Sequence, residues 1–416
     1  MASWRLWLPP ALEKRRVRIY VAGHVVSVLG NWLQQVALSW LVYRLTGSVF
    51  LLGLTGFLLN IFYLLLGGLA GAAADRVPRL KALIVVDLVL AALALLMAGL
   101  VFAGVTDITV FLIVAALTGI ANAFEMPLRQ SLFKDIVEEK SLLTSAIAVS
   151  AMVFNVGRLI GPAIAGFVLL YVSEGWCFLF NAISYAAIIA ALLRMGLPAS
   201  ADQPRPAPPR ASLMENLSAL TALPGVRYLL PTVVALGLFA TSYVHLMPSI
   251  VTAFFDGKPS TVGLLMASAG LGALSAATYL AMQPGVYRQI RMVSIAPLFV
   301  AVALVGFAHS RSLLLSMLLL ALLGANVMFT SNTTNALLQQ SAPEEWRGRV
   351  IGLYTMAFAG TAPLGNLLAG WLASHVGLTA TLTINGLAIL LAGIASRQRL
   401  HNHPEALRTL VRQLRA

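Results

Sequence analysis

Apolar residues dominate this chain in long stretches, and the polar residues gather in the short gaps between them. A helix that crosses the hydrocarbon core of a bilayer needs about 20 mostly apolar residues. Twelve stretches meet that length, near 20–44, 49–73, 81–104, 107–130, 143–172, 175–195, 227–255, 260–283, 289–308, 311–338, 348–375 and 378–396. The pattern predicts an all-α polytopic membrane protein with twelve transmembrane helices. An even number of spans puts both ends of the chain on one side of the membrane.

Composition supports this reading. Of the 416 residues, 59% are hydrophobic and 10% charged, whereas a soluble domain carries about 25% charged residues. Mean hydropathy is +0.87. A net charge of +13 would point to nucleic acid in a soluble protein, but here the basic groups lie between apolar runs and act as topology signals. Only Arg44, Lys258 and Arg311 fall in loops opposite the termini, and Arg158 falls within a span. The remaining Lys and Arg lie on the terminus side, so both ends are expected in the cytoplasm of a bacterial inner membrane. The segment Met1–Leu8 is too short for a signal-peptide core, so the first span is expected to be retained as an anchor. The lone Cys177 excludes a disulfide framework and cysteine-based metal clusters.

Between spans six and seven, Pro198, Pro204, Pro206, Pro208 and Pro209 mark a cytoplasmic linker. Its second part carries Ser212-Leu213-Met214-Glu215, a capping box that opens a short surface helix. The chain thus divides into a first six-helix half (1–196), the linker (197–225), a second six-helix half (226–400) and a tail (401–416). The halves echo each other: Gln130-Ser131 recurs as Gln340-Ser341, and Gly161, Pro162 and Gly166 recur as Pro363, Gly365 and Gly370. A duplicated six-helix unit with two pseudo-symmetric halves is expected. In the tail, Leu407, Leu410, Val411 and Leu414 form an apolar stripe flanked by Arg408, Arg412 and Arg415. Such a helix lies on the anionic inner leaflet.

One gap holds four ionisable groups, in Gly67-Gly68-Leu69-Ala70-Gly71-Ala72-Ala73-Ala74-Asp75-Arg76-Val77-Pro78-Arg79-Leu80-Lys81. It resembles the cytoplasmic loop signature of the major facilitator superfamily, Gly-x-x-Ala-Asp-Arg-x-Gly-Arg-Lys, with Pro78 where that family usually has glycine. Gly157-Arg158-Leu159-Ile160-Gly161-Pro162-Ala163-Ile164-Ala165-Gly166 is similar to the span-five motif of the superfamily's antiporters. The run from Gly30 to Tyr43, the Pro127-Leu128-Arg129-Gln130 turn and Arg347-Gly348-Arg349-Val350 look like the branch that contains the enterobactin exporter and macrolide efflux carriers. The resemblance implies substrate bound between the halves near mid-membrane. It also implies that Arg79 meets an acidic group at the cytoplasmic end of span four, where Glu125 lies.

The loop has a mechanical reading. Asp75, beside Arg76, is expected to rest at the N-terminal end of span eleven, where free N–H groups carry partial positive charge. That contact would latch the two halves on the cytoplasmic side. The alternative is that these charges only retain the loop in the cytoplasm. Arg158 is the strongest single candidate for substrate or coupling, because a mid-membrane charge faces a partner or an aqueous cavity. The competing reading pairs it with Asp87 or Glu125 as a packing element. Asp87 itself is expected in a buried structural pair, and Glu125 is either part of the latch or a proton carrier.

Polar residues also cluster on spans that line the superfamily's cavity. Asn31, Gln34 and Gln35 share one face of span one and are read as a pocket wall. Asn60 and Tyr63 do the same in span two. Tyr243 and His245 lie on different faces of span seven, and Asn326, Asn332 and Asn335 crowd span ten. His245 is either a proton-exchanging group or a satisfied hydrogen bonder. Gly157, Gly161, Pro162 and Gly166, with Pro363 and Gly370, suit close helix contact and bending.

No phosphate-binding Gly-x-x-x-x-Gly-Lys-Ser/Thr loop occurs, nor His-Glu-x-x-His or Gly-x-Ser-x-Gly. An ATP-driven pump and a membrane-embedded enzyme are therefore disfavoured, and no cofactor or metal is implied. The expected function is secondary active, proton-coupled export of a small amphiphilic compound such as a siderophore or drug, by a monomer. An importer, a uniporter or a lipid-flipping carrier of the same fold is the alternative, and a receptor is a more distant one.

Overall fold

The computed structural model describes residues 9–137, 139–196, 224–282, 286–342 and 346–402. Among them every regular element is helical. A short 3₁₀ turn, Pro10–Glu13, leads into α1 (Arg15–Thr46), α2 (Val49–Arg76), α3 (Arg79–Phe102), α4 (Ile108–Val137), α5 (Leu143–Val168) and α6 (Glu174–Arg194). Then follow α7 (Pro224–Ala235), a π turn (Leu236–Ala240), α8 (Tyr243–Phe254), α9 (Pro259–Met282), α10 (Val286–His309) and α11 (Leu313–Ser341). The chain continues with α12 (Arg347–Phe358), α13 (Ala362–Val376) and α14 (Leu378–Asn402). The expected surface helix of the linker and the amphipathic tail lie outside the described residues.

Eleven helical segments among the described residues are long and apolar enough to cross a membrane. Large apolar side chains point outward along them, as Val85, Leu88, Val89 and Leu95 do on α3. On helices, whose backbone groups bond chiefly within the helix, such surfaces suit lipid rather than water.

The stretch read as a continuous eleventh span is instead two helices, α12 and α13, separated at Ala359–Thr361. Pro363 supplies the physical reason, since it has no N–H to donate to the preceding turn and fits the first turn of a new helix. Thr361 Oγ1 donates to the Ala357 carbonyl at 2.6 Å and so satisfies part of the broken end. The seventh stretch is interrupted as well, by the π turn. The two interruptions lie side by side: a Cβ on Gly237 would stand 2.5 Å from the Phe358 carbonyl, and one on Gly365 would stand 1.9 Å from that of Leu238.

A second correction concerns α4. Pro127-Leu128-Arg129-Gln130 is helix rather than a turn, and α4 continues to Val137. Burial of Leu128, Leu132, Ile136 and Val137 outweighs the hydrogen bond lost at Pro127.

Contacts divide the chain into two compact units. The first comprises Met1–Thr46, Phe62–Pro208 and Lys258–Gly263. Its interior is built where α1 packs on α5 and α6, and α3 on α4 and α6. The second comprises Gly47–Ile61, Pro209–Gly257 and Leu264–Ala416, with α10 packed against α11 and α14.

Glycines set the helix spacing within each unit. In the second, a Cβ on Gly272 of α9 would lie 1.8 Å from the Ala321 carbonyl oxygen, and one on Gly324 of α11 would lie 2.0 Å from that of Ala269. The obstacle is backbone, which cannot rotate away. Gly324→Ala is therefore expected to cost about 1–3 kcal/mol through overpacking, read as loss of thermal stability in detergent. Gly352→Ala is the control, since a Cβ there meets nothing within 4 Å.

Candidate substrate and coupling site

The first unit carries a charge cluster inside its helices. Asp87 on α3 is fully buried, and Glu125 and Arg129 stand one turn apart on α4. Arg129 Nε donates to Glu125 Oε1 at 2.6 Å, and its Nη2 donates to Asp87 Oδ1 at 3.3 Å. Arg129 also lies within electrostatic reach of Tyr20 of α1, whose ring stacks on His24 with centroids 5.3 Å apart. Tyr63 of α2 and Tyr185 of α6 lie within electrostatic reach of Glu125. One guanidinium balances one carboxylate. Two ionised carboxylates here would leave a net charge in a low-dielectric interior.

The pairing differs from the expected one in two respects. Arg79, fully buried at the start of α3, meets Asp135 at 3.4 Å and not Glu125. Because α4 runs past Pro127, Asp135 lies about 15 Å further along the helix than Glu125 at 1.5 Å per residue, level with the loop. Neither Asp87 nor Glu125 pairs with Arg158, because Arg129 engages both. Lys14 forms a further ion pair with Glu139 near the same ends. Arg76 is exposed at the end of α2, and the side chain of Asp75 lies outside the described residues.

Arg129 and His24 are the members that sequence reasoning overlooked. In the sequence Arg129 reads as part of a Pro127-Leu128-Arg129-Gln130 turn, whereas the helix runs through it. A signal was present nonetheless: Glu125 and Arg129 have the i, i+4 spacing of a helical ion pair, and two acids within apolar spans require a base.

Arg158 lies about 22 Å along α5 from its start, by helical rise, and is half-buried. Among the described residues no hydrogen bond or ion pair engages its side chain. The glycines beside it are contact positions. A Cβ on Gly157 would stand 2.3 Å from Val28 Cγ1, and one on Gly161 would stand 2.5 Å from Trp32 Cβ. Gly166 meets the Pro259 carbonyl at 2.5 Å in the same sense. Pro162 lies inside an unbroken α5. Close approach of α1 thus holds α5 in place around Arg158.

Of the three α1 amides, Gln34 is turned into a neighbouring helix, whereas Asn31 is exposed. Gln34 is buried, and its Oε1 accepts from Asn181 Nδ2 of α6 at 2.7 Å. Asn31 Oδ1 accepts from Tyr185 at 2.9 Å, and Gln35 is half-buried. Gln34 and Asn31 therefore join α1 to α6, and Gln34 in particular faces a protein partner rather than an open cavity. Asn60 bonds back to the Gly56 carbonyl at 2.9 Å.

In the second unit Tyr243 and His245 open α8, and both are buried. Asn326 bonds back to the Leu322 carbonyl at 2.8 Å, and Asn335 Oδ1 accepts from Gln339 at 2.9 Å. Asn332, Asn335, Ala336, Gln339 and Gln340 line a polar depression of about 280 Å³ on α11. Pro363 and Gly370 both belong to α13. A Cβ on Gly370 would stand 2.8 Å from the Cα of Gly53 on α2.

Comparisons with known proteins agree with this architecture. The family model described as "transmembrane secretion effector" matches residues 8–410. The staphyloferrin A transporter of Staphylococcus aureus is 28% identical over 90% of this chain and 93% of its own length. The multidrug efflux pump Tap of Mycolicibacterium fortuitum is 28% identical over 88% of this chain and 91% of its own. Macrolide efflux protein A of Streptococcus pyogenes is 24% identical over 90% and 93%. Among solved structures, a mutant of the peptide transporter POT in complex with alafosfalin superposes with a TM-score of 0.74 at 13% identity, covering 94% of this chain and 95% of that one. The nucleoside transporter NupG superposes with a TM-score of 0.70 at 12% identity, covering 92% and 98%. At these identities the structures share the fold alone. With its family model spanning nearly every residue, the chain belongs to the transmembrane secretion effector family, multi-pass carriers of the major facilitator superfamily rather than enzymes.

Proposed function

We propose that this protein is a proton-coupled exporter of a small amphiphilic compound, working by alternating access. The observation that carries this reading is Arg158, a permanent charge midway along a membrane helix whose side chain no described residue engages. Arginine holds paired oxygens through two parallel hydrogen bonds, which suits a substrate carrying a carboxylate or a similar oxygen pair. The siderophore and drug carriers among the relatives favour export of such compounds.

In this reading the chain forms two pseudo-symmetric halves of six spans, 1–196 and 226–400, with α7–α8 and α12–α13 each counted as one interrupted span. Both termini face the cytoplasm, where Asp75, Arg76, Arg79 and the α4 carboxylates work as a conformational latch. The basic tail rests on anionic lipid, and the protein works as a monomer.

Proton exchange is assigned to the Asp87–Arg129–Glu125 cluster. Glu125 is half-buried and Asp87 fully buried, so Glu125 is the better placed to meet water when the helices move. Glu125→Gln mimics the protonated state and is expected to uncouple substrate movement from the pH gradient while leaving binding intact. Everted vesicles with an imposed gradient, supplied with staphyloferrin A or a macrolide as probes, provide the measurement. Gradient-driven accumulation equal to wild type would remove Glu125 from the mechanism.

A further inference from the structure

His245 is the only histidine of α8, and it occupies a site that the charge cluster of the first unit does not explain. It is 5% exposed, and its Nδ1 has no hydrogen-bond partner among the described residues. Its ring lies against α2: a Cβ on Gly56 would stand 2.6 Å from Cδ2 and 2.7 Å from Cγ. The same hypothetical Cβ would stand 3.0 Å from Asn366 Nδ2 on α13. Asn366 is 3% exposed, and its Oδ1 also lacks a partner among the described residues. One turn further along, Gly53 meets Gly370 and the Asn366 carbonyl at backbone distance. Three helices thus close on one imidazole, with glycine as the only residue that fits.

This packed arrangement has no place for an imidazolium. Of the groups facing His245, Gly56 on α2 carries no side chain and Asn366 on α13 is neutral. Among the described residues no hydrogen bond or ion pair engages the ring. Burying an unpaired cation there would be far more costly than burying the neutral ring. Once α2 separates from α8 and α13, water reaches the ring, and histidine in water takes up a proton in the physiological range.

We propose that His245 is a proton-binding site that gates this seam: the neutral ring permits α2, α8 and α13 to close, and the protonated ring holds them apart. The proton is taken from water by the exposed imidazole as the seam parts and is returned to water before the seam can reseal. This rests on the transporter reading above and adds to it a second proton-dependent step, distinct from the one assigned to Glu125. Acid is expected to favour the parted seam, and neutral to alkaline conditions the closed one.

The test places spin labels at Val49→Cys on α2 and Val376→Cys on α13 in a Cys177→Ser background, in nanodiscs without substrate. Distance distributions are recorded at about pH 5.5 and about pH 8.5, on either side of the ordinary histidine range. The parted population is expected to rise by about threefold or more on acidification, which corresponds to about 0.65 kcal/mol or more between the two states. His245→Gln, which keeps a polar side chain but cannot take the proton, is expected to abolish that response. Gly56→Ala keeps the imidazole but wedges the seam, and is expected to raise the parted population at both pH values. An unchanged pH response in His245→Gln would overturn the proposal, as would a Gly56→Ala protein that stays closed like wild type. Because no substrate is present, failure of the export reading would leave this readout intact, and the two can be judged separately.

Discussion

Replacing Arg158 with alanine is expected to abolish export while the protein still folds. The side chain has no partner among the described residues, so its removal strands no buried charge, and the half-buried site can take up water. What is lost is the charge-assisted, two-pronged contact to substrate. Such contacts are worth about 1.5–3 kcal/mol each, so binding is expected to weaken by roughly 10- to 150-fold. Arg158→Lys is expected to recover part of that loss, because a point charge replaces attraction but not the planar fork. Probe binding by tryptophan quenching, with thermal stability measured in parallel, checks the result. Wild-type affinity in Arg158→Ala would remove the residue from the site.

Arg129→Ala should behave in the opposite way, damaging the fold first. It leaves Asp87 without its counterion in a fully buried position and frees Glu125 one turn away. Removing one partner from a buried ion pair costs about 3–5 kcal/mol, a large share of the stability of most domains. Little folded protein is expected in the membrane. Neutralising both acids as well, in Arg129→Ala with Asp87→Asn and Glu125→Gln, is expected to restore much of the folded yield, since no uncompensated charge then remains. Fluorescence-detected size exclusion of the single and triple variants checks this. If Arg129→Ala were as stable as wild type, the ion cluster would not be a structural unit.

The contrast between these two arginines shows which features the sequence discloses. The spans were legible because lipid imposes one simple rule, a long apolar run with its backbone bonded internally. Arg158 was legible because a charge inside such a run has no ordinary explanation. Arg129 was hidden by Pro127, whose local preference for ending a helix is overridden by the buried leucines that follow it. The same override displaced the partner of Arg79 from Glu125 to Asp135. The interruptions at 236–240 and 359–361 were equally hidden, because a broken helix is as apolar as a continuous one. Gln34 shows a further limit. Three amides on one helical face read as a pocket wall, yet whether such a face meets a cavity or a neighbouring helix depends on the partner, here Asn181. Side-chain type and spacing do not carry that information.

Substrate is expected to leave against a proton that enters. The most direct measurement loads everted vesicles with acid, adds staphyloferrin A or a macrolide outside, and follows the pH inside as the probe accumulates. Probe uptake is expected to be accompanied by alkalinisation of the vesicle interior, both lost when an ionophore collapses the gradient and both absent in Arg158→Ala. Uptake that proceeds at the same rate and to the same extent with no gradient, and with no movement of protons, would contradict it.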